Sequence, residues 1–133
     1  MVLVDTNVLL DIATRDAKWF EWSSSTLVPL VGAGEAAINP VIYAELAPLY
    51  LNAADLDTSL VPPSDFRRLA LPYSAAFPAA RAFQAYRKSG GSRTSPLPDF
   101  FIGAHAEAEG LTLLTRDAAR YRTYFPKVNL ICP

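Results

Sequence analysis

Hydrophobic residues in this chain fall in short continuous runs separated by longer stretches with helical spacing, and that alternation sets the expected architecture. Val2-Leu3-Val4 is too short and too uniformly apolar for a half-exposed strand and reads as a buried parallel one. Val8, Leu9 and Ile12 then continue at helical spacing, with Asp5 or Thr6 suited to cap the helix start. A second helix is expected over residues 17–31, with apolar surface from Trp19, Phe20, Trp22, Leu27, Leu30 and Val31. It should be kinked or shortened by Pro29 and end near Gly32 and Gly34. Ala36-Ala37-Ile38 is a strand candidate. Asn39-Pro40 suits a helix start, with Asn as the cap and Pro in the first turn, where its missing N–H costs nothing.

Further along, residues 55–60 and 64–71 predict short helices separated by Pro62-Pro63, and residues 74–88 a longer one. Gly90 and Gly91, flanked by Ser89 and Ser92, make a loop. Pro96 and Pro98 stiffen the approach to Asp99, which is placed to cap a helix ending before Gly110. Residues 111–114 predict a buried strand, 118–124 a short helix and 128–131 a last strand. No repeat or long linker divides the chain, so one domain over residues 1–133 is expected. Strands alternating with helices predict an α/β fold, a mostly parallel sheet with helices on both faces.

Composition narrows the picture. The chain is 51% hydrophobic and 19% charged, which fits a folded protein and not a disordered tail. The formal net charge is only -1, yet its distribution is uneven. From Phe66 to Pro98 there is no Asp or Glu, while Arg67, Arg68, Arg81, Arg87, Lys88 and Arg93 all fall there. Such a basic stretch can bind phosphate or be a solvated helix face, and Arg81, Arg87, Lys88 and Arg93 are the residues expected to carry any salt-sensitive phosphate contact. The single cysteine, Cys132, cannot form an internal disulfide, which fits a reducing cytosol. The apolar strand at Val2 leaves no room for a charged leader, and no apolar run approaches the ~20 residues that span a bilayer. A cytoplasmic chain without a membrane partner is expected.

Four carboxylates stand where they are awkward for folding. Asp5 ends the first apolar run, Glu45 interrupts Val41-Ile42-Tyr43-Ala44-Glu45-Leu46, Asp99 opens the run Phe100-Phe101-Ile102, and Asp117 follows Leu113-Leu114. Buried carboxylates are costly unless paired, hydrogen-bonded or neutralised by a cation. In an open parallel sheet, ligands bind beyond the carboxyl ends of the strands, and all four acids fall near that rim. Separations of 40, 54 and 18 residues suit acids contributed by separate elements. Four converging carboxylates would bind a hard divalent ion such as Mg²⁺, which points to chemistry on phosphate esters.

The segments Asp5-Thr6-Asn7-Val8-Leu9-Leu10-Asp11, Tyr43-Ala44-Glu45-Leu46, Pro98-Asp99-Phe100-Phe101-Ile102-Gly103-Ala104-His105-Ala106 and Leu113-Leu114-Thr115-Arg116-Asp117 resemble the PIN-domain ribonucleases. More narrowly, they resemble the VapC-type toxins of toxin–antitoxin pairs, and the resemblance covers essentially the whole chain. It implies a PIN-like three-layer α/β/α fold and Mg²⁺-dependent endoribonuclease activity, with Mn²⁺ as a substitute. It implies a VapB-type antitoxin that covers the acidic pocket, with operator DNA bound only through that antitoxin, and a homodimer. Asp5 and Asp99 are the expected metal ligands, and Glu45 and Asp117 complete the catalytic set. Asn7 and Thr115 are candidates for holding a carboxylate, a water or the substrate. Water attacking in line would leave a 5′-phosphate and a 3′-hydroxyl.

Other residues are expected to do structural work. Arg116 is placed in solvent, His105 as a packed or surface side chain, and the aromatics near Arg120 in helix packing. The apolar residues of the second helix suit an antitoxin groove, a dimer face or the core equally. A haloacid-dehalogenase-type phosphatase would need a second Asp where Asn7 stands, and a phosphorelay receiver lacks support because Lys127 is not followed by Pro. The remaining alternative is a non-catalytic PIN-like module that binds RNA or protein, which would have no use for all four acids.

Overall fold

Among the described residues, five short strands build the sheet: β1 (Val2–Val4), β2 (Ala36–Ile38), β3 (Arg67–Arg68), β4 (Thr112–Leu114) and β5 (Leu130–Ile131). All pair in parallel, in the order β3-β2-β1-β4-β5. The computed structural model describes residues 1–92 and 97–133, so the expectations for Arg93 and Pro96 lie outside the described residues. Every residue of β1 and β2 is buried, as expected for strands covered on both faces. Around them lie α1 (Thr6–Ala13), α2 (Phe20–Gly32), α3 (Pro40–Leu46), α4 (Ala53–Ser59), α5 (Ala76–Lys88), α6 (Pro98–Glu109) and α7 (Ala119–Tyr124). This is the three-layer α/β/α arrangement that the alternation of apolar runs predicts. Among the described residues no helix is long and apolar enough to cross a membrane.

Local chemistry explains most of the boundaries. The Asn39 side chain accepts the Ile42 N–H at 2.9 Å and caps α3, with Pro40 in the first turn. Gly110 takes a left-handed conformation (φ 63°) that closes α6 and lets the chain turn into β4. Helix α2 begins at Phe20 and not at 17, because Asp16 accepts the backbone N–H groups of Lys18 and Trp19 at 2.9 and 2.8 Å and holds a turn there. Pro29 does not end α2; it sits in the last two turns, and the helix runs on to Gly32.

Three expectations are corrected. Residues 64–71 are not a helix. Phe66 and Leu69 have helical spacing, but Pro62 and Pro63 bracket a turn, and Arg67–Arg68 pair with Ala37 and Ile38 as an exposed edge strand. Asp99 does not cap α6: Leu97 holds the cap position, Pro98 opens the helix, and Asp99 lies inside the first turn. Asp5 occupies the cap position of α1, yet its carboxylate makes no capping bond because it is engaged elsewhere.

The core is continuous from the sheet into α6. Phe100, Ile102, Ala104 and Ala106 are buried, and His105 is fully enclosed. The expected packed histidine is thus found, with Nδ1 facing the Asn39 Nδ2 at 3.0 Å and Nε2 facing Glu109 at 3.3 Å. Since the Asn39 oxygen accepts from Ile42, its amide nitrogen must donate to Nδ1, so the imidazole proton sits on Nε2. This contact fastens the start of α3 to α6. Gly103 lies against the ring of Phe125, where a Cβ would overlap ring carbons. Gly103→Ala should therefore destabilise the fold by about 1–3 kcal/mol, read as a lowered urea midpoint with unchanged m-value.

Candidate active site

Strands β1 and β4 run in register, with Val4 opposite Leu114, so Asp5 and Thr115 leave the sheet side by side. The Asp5 N–H continues the pairing by donating to the Leu114 carbonyl at 2.8 Å. Here the strand order changes direction, since β2 and β3 extend to one side of β1 and β4 and β5 to the other. Such a switch point is where a parallel sheet opens a crevice. Asp5 is only 2% exposed. Its Oδ2 accepts bonds from the Thr115 hydroxyl at 2.8 Å, the Tyr121 hydroxyl at 2.9 Å and the Asn7 amide at 3.1 Å. The Thr115 oxygen in turn accepts the Asp117 N–H at 3.1 Å and Asn7 Nδ2 at 3.2 Å. Among the described residues the side-chain donors to Asp5 all meet its Oδ2, and the Thr6 backbone N–H is a further donor to the carboxylate.

The other three acids reach the same rim from separate elements. Glu45, in α3, is half-buried, and its Oε1 accepts the Thr6 hydroxyl at 2.6 Å. Asp99, in the first turn of α6, accepts Arg120 Nη1 on Oδ2 at 3.2 Å. Asp117, just past β4, is exposed. The Asn39–His105 contact fixes α3 against α6 and with it the relation of Glu45 to Asp99.

Electrostatics ties the four together through Asp99. Burial pushes the Asp5 carboxyl up to about 7, with the charge of Asp99 acting in the same direction against the bonds from Thr115 and Tyr121. Burial also raises Glu45, opposed by the Thr6 bond and assisted by Asp99. Asp99 is raised by burial, drawn down by Arg120 and raised by Asp117. The Tyr121 phenol is pushed well up by burial and by Asp5, so it stays a donor. Three carboxyl groups set against the charge of Asp99, all hard oxygen donors, fit a divalent cation, which would relieve that repulsion. Among the described residues, however, no three acid, His or Cys side chains stand close enough to form a ready-made cation cage. Thr6 holds Glu45 and Arg120 holds Asp99, so the acids share a rim without yet converging on one point.

Several residues at this site escaped the sequence reading. Arg116 is paired rather than free in solvent, although about a third of its side chain is exposed: its Nε lies 3.0 and 2.8 Å from the two oxygens of Asp11, which is 2% exposed and also bonded by Ser23 at 2.8 Å. The Arg116 N–H meanwhile donates to the Asn7 oxygen at 3.2 Å, orienting the amide that serves Asp5. Asp11 interrupts the apolar run Leu9-Leu10-Asp11-Ile12, the signal that singled out Glu45. Tyr121 and Arg120 carried no local signal, because their partners Asp5 and Asp99 are 116 and 21 residues away.

The family model of the PIN domain matches residues 2–126. Among solved structures, VapBC2 from Rickettsia felis bound to a DNA fragment from its promoter has a TM-score of 0.72 at 18% identity, covering 100% of this chain and 99% of that one. FitAcB from Neisseria gonorrhoeae has a TM-score of 0.69 at 26% identity, covering 98% and 96%. A toxin–antitoxin complex from Klebsiella pneumoniae has a TM-score of 0.64 at 22% identity, covering 96% and 95%. No curated protein sequence matches the chain.

The raised Asp5 carboxyl has a consequence for stability. Because its folded pKa of about 7 lies above the ordinary 3.8, the folded state holds the proton more tightly than the unfolded chain. The protonated form is favourable at low pH, and that stability is lost as pH rises through the folded value. In the presence of EDTA, the melting temperature should therefore fall between pH 5 and pH 8. Asp5→Asn, which keeps an acceptor oxygen for Thr115 and Tyr121, should flatten that slope and gain on the order of a few kcal/mol at pH 8. Calorimetry of both proteins across this range checks it.

Proposed function

Since the chain belongs to the PIN-domain family, we propose that it is a divalent-metal-dependent endoribonuclease and the toxin of a VapBC-type toxin–antitoxin pair. The observation that carries this reading is the coupling of Asp5, Glu45 and Asp117 to one carboxylate, Asp99, at the carboxyl rim of the sheet. Asp5 and Asp99 would hold Mg²⁺ or Mn²⁺, with Glu45 and Asp117 completing the acidic wall. Bound there, the ion would acidify a water and neutralise charge on the phosphoryl oxygens.

The protein's own groups supply orientation. Thr115, Tyr121 and Asn7 fix the Asp5 carboxylate by its Oδ2. Thr115 is fully buried, so it serves the substrate through Asp5, whereas Asn7 is partly exposed. Glu45, with Oε1 held by Thr6, keeps Oε2 available to accept a proton from the attacking water. The water oxygen would bond to phosphorus as the bond to O3′ breaks, and the departing 3′ oxygen would take a proton from solvent, leaving a 5′-phosphate and a 3′-hydroxyl.

The Klebsiella relative is a toxin–antitoxin complex and the Rickettsia one is bound to promoter DNA, which supports an antitoxin partner here, with DNA reached through it. We place the protein in the cytoplasm, as a single PIN unit over residues 1–133 that pairs with a second copy. A rival reading, a non-catalytic PIN-like module, draws on the acids not being gathered into a closed cage.

Incubation of the purified chain with total RNA separates the two. Cleavage with Mg²⁺ and none with EDTA is expected, and intact RNA under both conditions would favour the rival. Asp99→Asn should lower the rate by about a hundredfold or more, and Thr115→Val, which unlocks Asp5, by about 10–100-fold. Initial rates on a defined single-stranded RNA check both, with circular dichroism confirming that each variant is folded.

A further inference from the structure

Three contacts converge on the Arg120 guanidinium at the rim of the site. Its Nη1 bonds Asp99 Oδ2 at 3.2 Å, and its guanidinium carbon lies 5.6 Å from the ring centres of both Tyr86 and Phe100. Those rings belong to an aromatic cluster in which Phe100 meets Tyr124 edge-on at 5.5 Å and Tyr86 at 5.6 Å. The cluster holds the guanidinium as a rigid platform would, at the cost of little further side-chain freedom. Yet the group is not buried for structural use: about a third of it is exposed, and so is its partner carboxylate. Immediately beside it opens a cleft of about 300 Å³ bounded by Tyr86, Asp117, Arg120, Thr123 and Tyr124. One edge of this cleft is thus an acid of the site, one edge is a cation, and the walls are aromatic.

A planar fork of donors beside an acidic metal site matches a phosphodiester, whose two free oxygens accept a bidentate contact. Aromatic walls match the base attached to it, because every base offers a face for stacking. The pair with Asp99 keeps the fork in place and occupies Asp99 Oδ2, so a cation drawn to that carboxylate competes with the guanidinium. Resting on the nuclease reading, we propose that Arg120 grips the phosphate of single-stranded RNA in the cleft beside Asp117, and that it changes partner from Asp99 to that phosphate when the divalent ion takes Asp99. Each partner satisfies the other's competitor: the ion replaces the guanidinium on Asp99, and the phosphate replaces the carboxylate on Arg120. The adjoining Asp117 faces the same cleft and disfavours an anion there until the ion is bound, so RNA and metal should bind cooperatively.

Two measurements on the intact chain test the exchange. In the first, without RNA, Mn²⁺ affinity is followed by electron paramagnetic resonance. Arg120→Ala should bind Mn²⁺ about threefold more tightly, because a half-exposed ion pair no longer competes for Asp99. In the second, with Mg²⁺ present, a fluorescent single-stranded phosphorothioate oligoribonucleotide is titrated by anisotropy. Arg120→Ala should weaken binding about fivefold and reduce the slope of log affinity against log salt by about 0.7, one phosphate contact on a single strand. Arg120→Lys should keep the salt slope but recover only part of the affinity, having the charge without the fork. Unchanged RNA affinity in Arg120→Ala overturns the proposal even if Mn²⁺ binds more tightly, since Arg120 would then only compete with the ion. Full recovery of affinity by Lys overturns the bidentate grip. A wild-type chain that neither binds nor cuts RNA overturns the nuclease reading itself, and the wild-type measurement shows this before any variant is made.

Discussion

The constraint that organises this molecule is a carboxylate held at the buried end of the central strand. Asp5 follows three fully enclosed residues and is itself almost sealed from water, where an ionised group loses most of its hydration. Three donors from three parts of the chain, Thr115 after β4, Tyr121 in α7 and Asn7 in α1, meet on one of its oxygens. Remove that convergence and β1, β4 and the helices after them lose their common reference point. The bonds only partly offset desolvation, which is why the carboxyl retains its proton far above the usual range. Folding has placed a poorly neutralised acid where the sheet opens.

Much of the fold was legible because the strands are covered on both sides. Val2-Leu3-Val4 and Ala36-Ala37-Ile38 carry no polar position, and Asn39-Pro40 and Gly110 mark helix ends with side-chain and backbone chemistry that acts locally. The strand at Arg67–Arg68 was not legible. It has two residues, both exposed, and exists only because β2 offers it a partner, while Phe66 and Leu69 mimic helical spacing. The site shows the same division. Asp5, Glu45, Asp99 and Asp117 announce themselves by interrupting or ending apolar runs. Tyr121, Arg120 and the Asp11–Arg116 pair act across large separations in sequence, and nothing beside them in the chain marks their partners.

The two arginines near the site show how similar pairs can differ in purpose. Arg116 serves Asp11, whose carboxylate is enclosed and bonded by Ser23 as well, so breaking that pair would strand a buried charge. Its backbone N–H simultaneously sets the Asn7 amide, which makes it part of the frame around Asp5. Arg120 and Asp99 are both partly in water, and their separation leaves neither group without solvent. The first pair is built to stay closed. The second can open without harm to the fold, and it lies on the acid that couples to all the others.

The sheet's two margins also carry a meaning for how this molecule meets its own kind. Parallel strands left open at a border invite a neighbour to add another and so to polymerise. Here each border strand has only two residues, and on the one formed by Arg67 and Arg68 the second charge is already matched by Asp57 and the first side chain is turned back to the Gly34 carbonyl. So short a border offers little backbone from which a shared sheet could grow.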